Sequence, residues 1–257
     1  SVVVILTSNN IWVLGVAWLF NDLLLHKLLM HFSQRLPAVL AARKRMLMVS
    51  TANILLFIAL FLLHYRFDTA QIDQLLHIAS TSSNMNDIAV LLVLAVILKS
   101  AQFPLHGWLL QVMEAPTPVS ALLHAGIINI GGFVLIRFAS ILETSPFAQS
   151  ILVVIGCLTA CIAALVMLTR VSIKVMLAWS TCAQIGFMLL EIGLGAYSLA
   201  LLHLLAHSVY KAHAFLSSGD HIKPITVLQQ MRSNAASHVT KKLFISAVFL
   251  SAILVAL

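Results

Sequence analysis

The chain has 257 residues, of which 61% are hydrophobic and only 9% are charged. Soluble domains carry about a quarter charged residues, so this composition excludes a water-soluble globule, a disordered chain and a nucleic-acid-binding protein. The 15 Lys and Arg residues exceed the 8 Asp and Glu residues, for a net charge of +7. The cytoplasmic loops of a membrane protein can account for such an excess.

Eight stretches are long and apolar enough, or nearly so, to cross a bilayer, which takes about 20 mostly apolar residues. They cover residues 2–20, 46–65, 88–112, 118–142, 148–169, 174–194, 197–217 and 242–257. Transmembrane β-strands would alternate apolar and polar residues, whereas these stretches are apolar all round. The sequence therefore predicts an all-α, polytopic transmembrane helix bundle that forms one domain over 1–257. Both ends lie in apolar runs, so we expect a fragment of a longer chain.

The charges between the stretches predict an orientation. Basic residues concentrate in the first, fifth and seventh gaps or close beside them: Lys27, Arg35, Arg43, Lys44, Arg45, Arg170, Lys174, Lys223, Arg232, Lys241 and Lys242. The alternate gaps are mainly acidic and contain Asp68, Asp73, Asp87, Glu143 and Glu191 beside Arg66 and Arg137. Since cytoplasmic loops are enriched in Lys and Arg, the odd gaps are predicted to be cytoplasmic and the even gaps external.

The third stretch contains a lysine deep inside it, Lys99 in LAVILKSAQFPLHGWLL. A lysine at mid-bilayer costs about 2.5–3.5 kcal/mol on insertion scales and usually faces a protein interior or a wet cavity. Pro104 follows five residues later and removes a backbone hydrogen bond. Together they predict a discontinuous helix near Lys99–Pro104 that lines a polar cavity, as in ion transporters. The alternative is that Lys99 snorkels from a shorter helix.

The fourth stretch contains His124 within SALLHAGIINIGGF, where glycines favour close helix packing. The seventh contains His203, His207 and Lys211 at i, i+4 and i+8, so these side chains share one helix face, and His213 lies on another. Such a stack can relay protons, because histidine titrates near neutrality. Polar packing is the alternative for both histidine sites. A zinc site in the seventh stretch is disfavoured, because HLLAH lacks the Glu of HExxH.

Three further ionisable residues are ambiguous from their positions alone. Lys174 begins the sixth stretch and has the position of a cytoplasmic anchor. Asp22 lies at the end of the first stretch, and Glu114 lies in the loop MEAPTP between the third and fourth. We regard the two carboxylates as candidate gating groups.

Three segments carry a resemblance to a known family. Residues 99–126, KSAQFPLHGWLLQVMEAPTPVSALLHAG, resemble the signature of the proton-translocating antiporter-like membrane subunits of respiratory complex I and Mrp-type antiporters. The similarity continues through 170–190 and 201–219. The resemblance implies that Lys99 is the family's broken-helix lysine and His124 the histidine of the next helix. It also implies that Lys174 is the central-channel lysine and that His203, His207 and Lys211 form the histidine–lysine helix.

The chain departs from the family at one position in particular. Where the family usually has Trp-Glu, with the Glu pairing the broken-helix lysine, this chain has Trp18-Leu19. Asp22, one turn further on, is the nearest stand-in for that Glu. A family aspartate in the next helix aligns with Asn53.

Details of residues 107–139 resemble the DabB branch, the membrane subunits of bacterial inorganic-carbon accumulating complexes. This resemblance implies a bacterial inner-membrane subunit, itself without enzymatic activity, cofactor or metal, through which H⁺ or Na⁺ flow drives CO2 hydration to bicarbonate. The catalysis would lie in a peripheral cytoplasmic partner, a DabA-like zinc protein similar to β-carbonic anhydrases. The alternatives are a complex I or Mrp subunit, and a non-conducting scaffold for a soluble enzyme.

Overall fold

The computed structural model describes residues 1–30, 36–81, 85–114 and 116–218, and these residues form helices and no β-strand. Two short 3-10 helices, Val112–Glu114 and Ile127–Asn129, interrupt the α-helices. The α-helices are α1 (Val2–Thr7), α2 (Ile11–Leu29), α3 (Leu36–Phe67), α4 (Ile72–Thr81), α5 (Asn86–Lys99), α6 (Gly107–Gln111), α7 (Thr117–Ala125), α8 (Ile130–Arg137), α9 (Ala139–Glu143), α10 (Pro146–Met167), α11 (Ile173–Gly193) and α12 (Tyr197–Ser217).

Five helical segments of the described chain are long and apolar enough to cross a membrane: Ile11–Leu29, Ala38–Phe67, Thr117–Arg137, Pro146–Met167 and Ile173–Gly193. The predicted all-α transmembrane bundle is thereby confirmed. The predicted span at 242–257 lies outside the described residues.

The bundle has an apolar outer surface and a largely apolar core in which a smaller set of polar side chains is buried. Large aliphatic residues such as Leu47, Ile54 and Leu165 are 61–70% exposed on the outer surface, as lipid-facing positions require. Among the residues that the structure describes, sixteen polar or charged ones are buried between the helices, including Asp22, Lys99 and Lys211. Ionisable groups buried inside a membrane protein mark functional sites by default.

The prediction of one helix over 2–20 is wrong. The chain leaves the helical conformation at Ser8, and Asn10 begins a second helix, its side chain accepting hydrogen bonds from the amides of Trp12 and Val13 at 2.8 and 3.3 Å. An asparagine in this position is a strong helix N-cap. Because α2 starts late and runs to Leu29, Asp22 lies in its middle and not at a frayed end. The gap over 66–87, between the second and third predicted stretches, likewise contains a helix, α4.

The predicted discontinuity after Lys99 is confirmed. Helix α5 ends at Lys99, Ala101 adopts a left-handed φ of 52°, and the next helix, α6, starts at Gly107. The amide of Phe103, left without a helical acceptor, donates to the Thr159 hydroxyl of α10 at 3.0 Å. The break is therefore anchored to a neighbouring helix, and Pro104 lies within it.

The fourth predicted helix has a break that the sequence analysis did not anticipate. Gly126 has φ −121° and ψ −70° and separates α7 from the 3-10 turn Ile127–Asn129 that leads into α8. The backbone amide of Asn129 donates to the Gly126 carbonyl and not to the Ala125 carbonyl, as it would in a regular α-helix. The Ala125 carbonyl instead accepts from the side-chain amide of Asn129 at 3.1 Å. The break thus fixes the position of the Asn129 side chain.

Candidate functional site

Three charged side chains from three helices meet beside the α5 break. One oxygen of Asp22 on α2 accepts from the Lys99 ammonium at 3.0 Å, and the other accepts from the Arg45 guanidinium of α3 at 2.9 Å. All three side chains are at most 2% exposed. Because breaking a buried ion pair strands a charge, each member depends on the others. We call Arg45, Asp22 and Lys99 the charge triad.

Two aromatic rings and an amide complete the surroundings of the charge triad. The Lys99 ammonium lies 3.7 Å from the centroid of the Trp18 ring, within cation–π range. The Trp18 indole donates to the side-chain oxygen of Asn53 at 2.9 Å. The Arg45 guanidinium lies 5.7 Å from the Trp108 ring centroid. Asn53 therefore holds the ring that contacts Lys99.

The position of Asp22 explains how it can stand in for a carboxylate at position 19. Leu19 and Asp22 are three residues apart on α2 and so share one helix face. Both line a cavity of about 660 Å³ between α2 and α3, together with Ser50 and Asn53. A carboxylate one turn further along the same face thus remains within reach of Lys99.

Arg45 was predicted to be a cytoplasmic loop residue, and this prediction is wrong. The sequence does contain a signal for its burial, because it continues a face of α3 formed by Ala38, Ala41, Ala42 and Val49, which are all buried. Residues at spacings of three and four lie on one side of a helix.

A second cluster lies along α12, where His203, His207 and Lys211 share one helix face as predicted. The ring centroids of His203 and His207 are 6.3 Å apart. Lys211 is fully buried and donates to the Leu177 carbonyl of α11 at 3.1 Å. His213 is exposed, as its different face requires. We call His203, His207 and Lys211 the α12 stack.

Asn129 and His124 join the α12 stack to the neighbouring broken helix. The Asn129 amide contacts the His207 Nδ1 atom at 3.4 Å and donates to the Ser208 hydroxyl at 3.0 Å. His124 stacks on Phe215 with ring centroids 4.4 Å apart, within electrostatic reach of Lys211 and His207. Neither ring nitrogen of His124 has a hydrogen-bond partner among the described residues.

Glu191 was predicted to lie in an external gap, and this prediction is also wrong. It belongs to the last turn of α11, its side chain is 8% exposed, and one of its carboxylate oxygens lies 3.0 Å from the His203 Nδ1 atom. The sequence analysis counted it as a loop charge, although buried Met188 and Leu189 precede it and buried Ile192 follows it.

The two remaining candidates are less central. Lys174 is the second residue of α11, half-buried and one turn before the Leu177 carbonyl that Lys211 contacts. The side chain of Glu114 lies outside the described part of the structure.

Residues 8–256 match a family model, that of the transmembrane subunits described as "NADH:quinone oxidoreductase/Mrp antiporter, TM". The chain is 46% identical over its full length to the "Probable inorganic carbon transporter subunit DabB" of Hydrogenovibrio crunogenus, of which it covers 50%. It is 36% identical over 90% of its length to NADH-ubiquinone oxidoreductase chain 5 of Metridium senile, of which it covers 39%. The chain thus spans at most about half the length of these relatives.

A solved structure shows the same architecture. In the Mrp complex from Dietzia sp. DQ12-45-1b, one chain superposes on 91% of this chain with a TM-score of 0.79 and 31% identity, and 26% of that chain is covered. The match to the family model, the five apolar helical segments and this superposition agree. The chain belongs to the NADH:quinone oxidoreductase/Mrp antiporter family of multi-pass integral membrane subunits.

Proposed function

We propose that the chain conducts protons across a bacterial inner membrane along its buried ionisable residues. The pathway consists of Lys99, His124, Lys174, His203, His207 and Lys211, with Asp22 as its gating carboxylate. The observation that carries this proposal is the charge triad, in which one buried carboxylate binds two buried cations at 2.9 and 3.0 Å. Burying three charges is costly, and membrane proteins retain such groups mainly along ion pathways.

The charge triad is suited to releasing a proton from one particular member. A lysine ammonium can lose its proton, whereas a guanidinium stays charged. When Lys99 gives up a proton, Asp22 keeps Arg45 as its partner and is not left as an unpaired buried anion. Arg45 thus lowers the electrostatic cost of proton release, and Lys99 is the group that changes its charge.

We further propose that this proton flux supplies the energy for inorganic carbon uptake. Support comes from the name of the 46% identical relative, a probable inorganic carbon transporter subunit, and from the resemblance of residues 107–139 to DabB. In this proposal the chain has no enzymatic activity, metal or cofactor of its own. A DabA-like zinc protein on the cytoplasmic side carries out the CO2 hydration, and each charge crossing 100 mV supplies about 2.3 kcal/mol.

A second candidate function is that of a complex I or Mrp subunit, favoured by the 36% identity to NADH-ubiquinone oxidoreductase chain 5 and by the Mrp superposition. The co-purifying subunit distinguishes the two. Mass spectrometry of the isolated complex and metal analysis of the partner would identify a zinc protein in the first case and redox or antiporter subunits in the second.

We expect cells that depend on this protein for carbon uptake to require high CO2 when its gene is deleted. In cells that retain the gene, a protonophore should stop bicarbonate accumulation, because no gradient then remains to drive the partner. The measurement is uptake of labelled inorganic carbon with and without the protonophore. Uptake that persists after the gradient collapses would instead indicate a non-conducting scaffold.

We expect His207→Gln to remove most of the proton flux. Glutamine preserves the volume and the capacity to hydrogen-bond Asn129 but cannot take up a proton near neutral pH. The measurement is proton flux into vesicles containing equal amounts of each variant. His213→Gln is the matched control, since His213 is exposed on another face of α12. Normal flux through His207→Gln would mean that the α12 stack is polar packing.

A further inference from the structure

A buried carboxylate terminates the α12 stack at the end nearest the connection between α11 and α12. Glu191 lies two residues before the end of α11, and His203 lies two turns into α12. The two side chains are 8% and 14% exposed, and the Glu191 Oε2 and His203 Nδ1 atoms are 3.0 Å apart. A buried carboxylate requires a charged or hydrogen-bonding partner, and His203 provides it.

Both nitrogens of His203 are engaged, and this fixes the ring orientation. The Nε2 atom lies 2.8 Å from the Gln184 side-chain oxygen, while the Nδ1 atom faces Glu191. An imidazole between two oxygen atoms donates to both of them only as the imidazolium, whereas the neutral ring donates from one nitrogen. The ring of His203 therefore lies in hydrogen-bond contact with Glu191 on one side and Gln184 on the other.

The other two members of the α12 stack, His207 and Lys211, have different surroundings. His207 contacts the side-chain amide of Asn129, and its Nε2 atom has no hydrogen-bond partner among the described residues. Beyond it lies the cation Lys211, one turn further along α12. The electrostatic field within the stack thus runs from a cation at Lys211 to an anion at Glu191, and it favours proton movement toward Glu191.

We infer that Glu191 and His203 form the terminal proton-transfer pair of this pathway, an inference that rests on the proposed function. The proton moves along the 3.0 Å contact. The N–H bond at Nδ1 breaks and an O–H bond forms at Oε2, so that the imidazolium becomes a neutral imidazole and the carboxylate becomes a neutral acid. With the orientation predicted from the loop charges, this pair lies at the external end of the pathway.

The test is proton flux through the intact complex in vesicles, with Glu191→Gln as the principal variant. Glutamine retains the size of Glu191 and an oxygen acceptor for His203 but cannot bind the proton. We expect flux to fall by about 100-fold, the lower end of the effect of a positioned proton-transfer group. Glu191→Asp should restore part of it. Glu143→Gln, which changes an exposed carboxylate on α9, is the matched control and should leave flux unchanged.

Two further measurements separate proton transfer from a structural contact. If Glu191 and His203 act as a unit, the double variant Glu191→Gln/His203→Gln should lose no more flux than either single variant. The infrared difference spectrum between acid and neutral pH should contain a protonated carboxyl band that Glu191→Gln removes. Normal flux through Glu191→Gln, or a spectrum without such a band, would overturn the assignment.

The Lys211→Met variant distinguishes this inference from the proposed function. If Lys211→Met abolishes flux while Glu191→Gln conducts normally, the chain conducts protons and the terminal group lies elsewhere. If both variants conduct normally, the proton pathway itself is wrong and the terminal pair is overturned with it.

Discussion

Replacing Lys99 by Met or by Arg is expected to reduce proton flux to the level of vesicles without the protein. Methionine removes the titratable group, and arginine keeps the charge but holds its proton at any accessible pH. The arginine variant is the more informative one, because it can still pair with Asp22 and contact the Trp18 ring. The measurement is gradient-driven flux at matched amounts of inserted protein.

Lys27→Met is the control for Lys99, since Lys27 is an exposed lysine on α2. It should conduct like the unmodified protein. Unmodified activity in Lys99→Arg would contradict the role of Lys99 as the group that changes its charge. The charge triad would then be a structural element of the bundle.

Asp22→Asn is expected to cost more folding stability than any other single change in the charge triad. It leaves the buried Lys99 and Arg45 cations without a counter-ion, and removing one partner from a buried ion pair costs about 3–5 kcal/mol. The measurement is the thermal unfolding temperature in a defined lipid or detergent environment. Adding Arg45→Gln should recover part of the loss, because one of the two unpaired charges disappears.

The exposed ion pair between Arg66 and Asp87 provides the comparison for Asp22. These side chains are 38% and 46% exposed, and exposed pairs contribute about 0–1 kcal/mol. Asp87→Asn should therefore shift the unfolding temperature little. Equal shifts for the two variants would show that water reaches Asp22 and that its pairing contributes little to stability.

The features that the sequence predicted correctly are those specified by residues close together in the chain. The break after Lys99 was predictable because a buried lysine and a proline occur five residues apart. The bounds of α12 agree with the predicted 197–217, and the short connection at 194–196 marks where it begins. The face shared by His203, His207 and Lys211 followed from helical spacing alone.

The errors concern charges whose partners come from distant parts of the chain. Arg45 and Glu191 were counted as loop residues because they lie at or near the ends of the predicted apolar stretches, where charge predicts orientation but not burial. Their partners, Asp22 and His203, are 23 and 12 residues away, and no local pattern specifies such contacts. The breaks at Ser8–Asn10 and Gly126 were missed because hydropathy averages over interruptions of one to three residues.

Asp22 pairs with Arg45 and Lys99 at the same time, and this affects which ions can bind in this region. Arg45, Asp22 and Lys99 together carry one net positive charge when Lys99 is protonated and none when it is not, so they never present a negative charge. Both carboxylate oxygens are already occupied by side-chain donors, and a sodium ion would have to displace one of them and tolerate the nearby guanidinium. The charge triad therefore offers no vacant carboxylate oxygen to a metal cation, whereas the Lys99 ammonium carries a proton that can be exchanged.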